Sequence, residues 1–151
     1  MKFSTRTLYG LKAVLVLAAR FGEGSMPVSQ IARKERLSVA YLEQILNGLK
    51  KRGFVKSVRG PQGGYVLARK PSETSLKELF HVLDGGGGAS KSVREAVGSD
   101  PDEISIGNML FWERLHRSLE EGLEKVSLKE LIDEARRIKK GKLHASFNFN
   151  I

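Results

Sequence analysis

Apolar positions in the first fifty residues recur at helical spacing. Leu8, Leu11, Leu15 and Ala18 fall three and four residues apart, which predicts an amphipathic helix over residues 5–21, ending before the GEG turn at 22–24. The run SQIARKER predicts a second, short helix over residues 29–36. Ser38 is placed to cap a third, with Leu42, Ile45, Leu46 and Leu49 on one face and Ala40, Glu43, Gln44, Asn47 and Lys51 on the other. Gly53 ends it. Two short helices joined tightly, the second with an apolar back and a polar front, have the pattern of a helix-turn-helix.

The pattern then changes. The stretch FVKSVRGPQGGYVLARK, residues 54–70, sets two short apolar runs around a Gly-rich polar tip and predicts a β-hairpin. A helix-turn-helix followed by a hairpin is a winged helix, so the predicted fold class is mostly α with a small β-hairpin. In such a fold the third helix enters the major groove of double-stranded DNA, and the wing follows the backbone or enters the minor groove. Gly60, Gly63 and Gly64 would let main chain approach phosphates, and Arg59 suits a narrow groove of strong negative potential. Taken alone, RGPQGG reads as an ordinary hairpin turn, and it is the preceding helix pair and the basic charge of residues 1–70 that favour a DNA contact.

Past the wing, Ser75 and Glu78 have the spacing of a capping box opening the helix SLKELFHVLDG, predicted to pack back on the winged helix. Four glycines at 85–88 begin a segment, running to about Glu103, that reads as a mobile loop. Met109, Trp112, Leu115, Leu119, Leu123 and Val126 then mark a long helix with one apolar stripe, which must pack within the chain or against a second copy. The sequence SLKE at 127–130 is another capping box, and Gly141 breaks the basic helix that follows. The predicted organisation is a DNA-binding domain over 1–84, a glycine-rich loop over 85–104, a dimerisation helix and C-terminal helix over 105–140, and a tail over 141–151.

Charge sharpens the choice of partner. Residues 1–70 hold 14 Lys/Arg against 3 Asp/Glu, or +11, whereas residues 71–151 hold 12 against 14, or −2. Basic charge spread over several short elements fits a grooved polyanion better than a membrane surface, which one basic amphipathic helix would serve. No apolar run approaches the ~18 residues needed to span a bilayer, and no signal peptide is evident, so a cytoplasmic location is expected. The chain has no cysteine, which removes disulfides, thiolate metal sites and cysteine nucleophiles. His81, His116 and His144 show no ligand spacing, and the acidic run Asp100, Asp102 and Glu103 suits a helix N-terminus better than a metal. GGGG lacks the Lys-Ser/Thr of a phosphate loop and no local nucleophile signature occurs, so neither an enzyme nor a cofactor is expected. An architectural DNA binder, an RNA-binding winged helix and a protein-interaction module stand as alternatives to a gene regulator.

The run FSTRTLYGLKAVLVLA, the segment LSVAYLEQILNGLKKRGFVKSVRGPQGGYVLAR and the later NMLFWERL resemble the bacterial winged-helix regulators that include the iron-sulfur-cluster regulator and the cysteine-metabolism repressor. The resemblance covers nearly the whole chain, and YLEQ paired with SVRGxxGGY is its specific part. It implies a homodimeric transcription regulator, commonly a repressor, on a palindromic operator, with DNA contacts from Ser38, Tyr41, Glu43, Gln44 and Arg59, and a dimer formed through the long helix. It departs from the family at Ala40, where a hydroxyl is common, and at Leu8, where a basic residue is. Cluster-bearing relatives carry three cysteines and a His or acidic ligand, and the positions of the last cysteine and the His align here with Ile106 and Met109, so no iron-sulfur cluster is expected. The tail HASFNFNI alternates Phe147, Phe149 and Ile151 with polar residues, as an edge strand would. It also resembles the tail of the cysteine-metabolism repressor and the Ile terminus of serine acetyltransferases, which implies docking of Ile151 in cysteine synthase with Phe149 at the pocket mouth.

Overall fold

Ser4 opens the first helix by accepting the Thr7 N–H at 3.1 Å, and α1 runs over Thr5–Ala19 in a computed structural model that describes residues 3–85, 95 and 97–141. Its buried side is rotated from the one the leucine spacing predicts and only partly overlaps it. Leu8 is 50% exposed and Leu11 and Leu15 are half-buried, while Thr7, Gly10, Ala13, Val14, Leu17 and Ala18 are buried. Gly10 explains the rotation: a Cβ there would lie 2.2 Å from Leu83 Cδ2, so this side admits a closer neighbour than the leucine side does.

The short helix α2 (Val28–Glu35) stops one residue before the predicted end, because Arg36 is left-handed at φ 55° and Leu37 N–H turns back to Ala32 O at 2.8 Å. The third helix, α3 (Val39–Lys51), follows the sequence reading closely. Ser38 Oγ accepts the Tyr41 N–H at 3.4 Å, and Leu42, Ile45, Leu46 and Leu49 are its buried residues. Each such side chain contributes roughly 1.5–3 kcal/mol by leaving water, and with Val14, Ile31, Leu79 and Leu128 they form one core.

The wing is an antiparallel pair, β1 (Val55–Val58) and β2 (Gly64–Leu67), with Val55 opposite Leu67 and Val58 opposite Gly64. An added bridge pairs Tyr65 with Met26, ahead of α2. A 3-10 turn (Pro71–Glu73) leads to α4 (Leu76–Asp84), whose Leu79 and Leu83 are buried. Ser75 caps α4 by accepting the Lys77 and Glu78 N–H groups, but Glu78 does not complete the expected box; its carboxylate pairs with Arg69 at 2.8 Å. Gly85 ends α4 in the left-handed region at φ 83°.

Asp102 caps α5 (Glu103–Glu124), accepting the Ser105 N–H at 2.8 Å, and hydrogen bonds from the Ser105 side chain and N–H lower the Asp102 pKa. The final helix, α6 (Leu128–Lys140), has its predicted capping box: Ser127 N–H donates to Glu130 at 2.6 Å and Glu130 N–H donates back at 3.3 Å. Although its sequence is contiguous with α5, α6 packs on the winged helix. Leu128 is fully buried, its N–H donates to Thr74 O at 3.1 Å, and Arg136 donates to the Ala19 carbonyl at the end of α1 at 3.0 Å. The predicted loop residues 86–94 and 96, and the tail from 142 with His144, Phe147, Phe149 and Ile151, lie outside the described residues.

Candidate nucleic-acid interface

The apolar back of α3 is locked in the core, so its front is held outward. Glu43, Gln44, Asn47 and Lys51 are exposed there, with Ser38 at the N-terminus. Ser38 already caps the helix, and the half-buried Tyr41 ring meets Tyr9 edge to face at 6.0 Å, so both side chains have structural work beside any contact with a ligand. Lys50 and Lys51 lie in the last turn, where their charge complements the helix dipole.

Arg59 stands exposed at the wing tip, and among the described residues Arg59, Lys51, Arg52 and Lys56 form no ion pair. Their charge is therefore available to a polyanion. By contrast, Arg69 is engaged inside the protein, over the Phe54 ring at 5.1 Å and against Glu78. The wing glycines divide in the same way. Gly60, at φ 120°, has open space where a Cβ would stand, whereas a Cβ on Gly63 would lie 2.6 Å from Val58 O and one on Gly64 2.1 Å from Met26 O. Gly63 and Gly64 are thus required by contacts within the protein, whatever else they meet.

Tyr65 on β2 joins the two predicted reading elements. Its hydroxyl donates to Asn47 Oδ1 on α3 at 3.2 Å. Burial pushes its phenol pKa up and the Glu43 carboxylate adds to that, so it remains a donor through the neutral range. Neither this bond nor the Met26 bridge is visible in the sequence, because the partners lie 18 and 39 positions apart and share no periodicity.

The predicted dimerisation residues lie along α5, which has no buried residue. Met109, Leu115, Leu119 and Leu123 are half-buried, while Trp112 is 37% exposed, Phe111 59% and Ile104 80%. Ile104 and Phe111 add exposed apolar surface on α5 beside the stripe read from the sequence. The side of α5 toward α4 carries polar contacts: His81 and His116 both approach Glu120 Oε1, at 2.5 and 3.2 Å, and Lys77 pairs with Glu124 at 3.7 Å. Two histidines without any sequence signal are thus neighbours, with ring centroids 6.0 Å apart. Among the described residues no group of three His, Cys, Asp or Glu is suited to hold a metal ion, and no helix is long and apolar enough to cross a membrane.

Comparison with known proteins matches residues 3–134 to the Rrf2 family model, described as an iron-dependent transcriptional regulator. The HTH-type transcriptional regulator CymR of Bacillus subtilis is 34% identical over 131 residues, which cover 87% of this chain and 89% of that protein. Its solved structure, described as that of the global cysteine regulator, superposes with a TM-score of 0.71 over 89% of this chain and 98% of that one. The structure of IscR from T. potens has a TM-score of 0.73 at 37% identity, covering 89% of this chain and 88% of that one.

Proposed function

We propose, from the premise that this chain belongs to the Rrf2 family of transcriptional regulators, that it binds an inverted-repeat operator as a homodimer and represses transcription from it. The observation that carries this reading is the exposed face of α3 beside a wing whose Lys56 and Arg59 form no ion pair among the described residues. In it, Glu43 and Gln44 read base edges in the major groove. Ser38, Tyr41 and Lys51 set the helix against the backbone, and Arg59 enters the minor groove or meets phosphate. A two-fold copy through the apolar side of α5 presents two such faces about one helical turn apart, ~34 Å.

Footprinting on the organism's own promoters tests the assignment. Gln44→Ala is expected to lose about 1–3 kcal/mol of discrimination against altered half-sites, as a bidentate base contact would. Arg59→Ala is expected to weaken binding and shallow its salt dependence. Wild-type footprints from both variants would overturn the assignment. Equal affinity for operator and random duplex would favour an architectural role, preference for RNA an RNA-binding one, and a protein partner without nucleic-acid binding an interaction module.

An iron-sulfur cluster does not fit this chain. There is no cysteine to supply a thiolate, and Ile106 and Met109 on α5 offer an alkyl group and a thioether. The signal is then read as reaching the protein by another route, and the similarity to CymR supports control of cysteine metabolism. In this reading Ile151 docks in cysteine synthase with Phe149 at the pocket mouth, so that O-acetylserine competes with the regulator. Calorimetry between the two proteins should detect binding that deletion of Ile151 abolishes. Equal affinity with and without Ile151 would remove the tail from the account.

A further inference from the structure

The wing is clamped from two directions. On one side, Met26 N–H donates to Tyr65 O at 3.0 Å, Tyr65 N–H donates to Met26 O at 2.9 Å, and the Ser25 hydroxyl donates to Gln62 O at 2.5 Å. These bonds fix the wing to the segment ahead of α2. On the other side, the Tyr65 hydroxyl reaches the recognition helix itself, donating to Asn47 Oδ1 at 3.2 Å. Asn47 lies three residues beyond Gln44, on the same exposed face of α3.

The bond has two consequences. It ties the angle of the wing to the angle of α3, and it orients an amide. With Oδ1 accepting from Tyr65, the Asn47 NH2 group is the end left over, and it carries two donors on a face otherwise bearing Glu43 and Gln44. Among the described residues the Asn47 side chain has no other hydrogen bond. Donors of that kind match the acceptor edges of bases.

We infer that Tyr65 is a positioning residue for DNA recognition: through Asn47 it sets the wing against the recognition helix and turns the Asn47 amide donors toward the DNA. The inference rests on the reading that α3 and the wing together face DNA. A duplex that engages both elements at once tolerates little error in the angle between them. A random duplex, held through the unpaired cations, tolerates more. The loss should therefore fall on specific binding.

The test uses Tyr65→Phe, Asn47→Ala and the double variant in the full chain. Tyr65→Phe removes only the hydroxyl, and Asn47→Ala removes the acceptor from an exposed position without touching the Tyr65 ring. Affinity is measured by fluorescence anisotropy for two duplexes, one selected by the wild-type protein from a random pool and one of scrambled sequence. Each single variant is expected to bind the selected duplex about threefold to tenfold more weakly, the range of one hydrogen bond. Affinity for the scrambled duplex should stay within about twofold. The double variant should bind about as weakly as the weaker single one, since both act through one bond. Losses that multiply, equal losses on both duplexes, or no loss with Tyr65→Phe would each overturn the inference. If Gln44→Ala and Arg59→Ala weaken operator binding while Tyr65→Phe does not, this inference alone fails. If none of the three matters, the proposed DNA face fails with it.

Discussion

Leu115→Glu is expected to leave a folded monomer whose affinity for an inverted-repeat operator has fallen by about 10²–10⁴-fold, the factor that linking two binding modules supplies. In one chain Leu115 is half-buried and lies beside the exposed Phe111, so a glutamate there can turn its carboxylate into water and the monomer should keep its fold. In the proposed dimer the same carboxylate would be taken out of water against a second apolar face, together with Arg114 of the same groove, and that desolvation costs several kcal/mol. A monomer still carries one recognition helix and one wing, so weak, salt-sensitive binding should remain. Sedimentation equilibrium and footprinting on the same preparation check this, with circular dichroism reporting the helices. A variant that stays dimeric and protects the operator as before would show that this side of α5 is not the interface.

Gly64→Ala is expected to lower stability by about 3 kcal/mol, combining overpacking with two weakened backbone hydrogen bonds. The added Cβ would lie 2.1 Å from Met26 O, 2.3 Å from Met26 C and 2.6 Å from Pro27 N, all backbone atoms that cannot rotate aside. The strand must separate from Met26, and the bonds at 3.0 and 2.9 Å go with it. For a chain of this size the melting temperature should fall by roughly 6–12 °C. Gly122→Ala on α5, where nothing lies within 4 Å, is the control; there alanine is the better helix former and the midpoint should not fall. Calorimetric melts of both variants decide the point, and an unchanged midpoint for Gly64→Ala would mean that the wing relaxes at little cost. Because the displaced strand carries Tyr65, operator binding should weaken in parallel.

Local spacing carried the recognition helix. Ser38 to Tyr41 and Ser127 to Glu130 are separations of three residues, within which side chain and backbone meet by helix geometry alone, and both caps form as read. The 3.6-residue period likewise placed Leu42, Ile45, Leu46 and Leu49 inward, because polar residues on the other side of α3 leave one solution. The helix α1 had no such contrast. In TRTLYGLKAVLVLAA apolar residues occur nearly all round, so spacing does not choose a side, and Leu8, which shares the spacing of Leu11, Leu15 and Ala18, stands 50% exposed.

Sequence by itself therefore determined the order of helices and wing, the faces of α3, the basic half of the chain and, through its lack of cysteine, the exclusion of thiolate ligands. Tertiary structure decided which side of α1 is buried, since that depends on how near Leu83 comes to Gly10. It decided that Glu78 pairs with Arg69 rather than closing a capping box, that α6 packs on α1, and that His81 and His116 share Glu120. It also joined Tyr65 to Asn47. The division has one physical reason. Caps and amphipathic faces arise from neighbours a few residues apart, whose geometry the helix period dictates, whereas these other contacts depend on elements that meet only once the chain has folded.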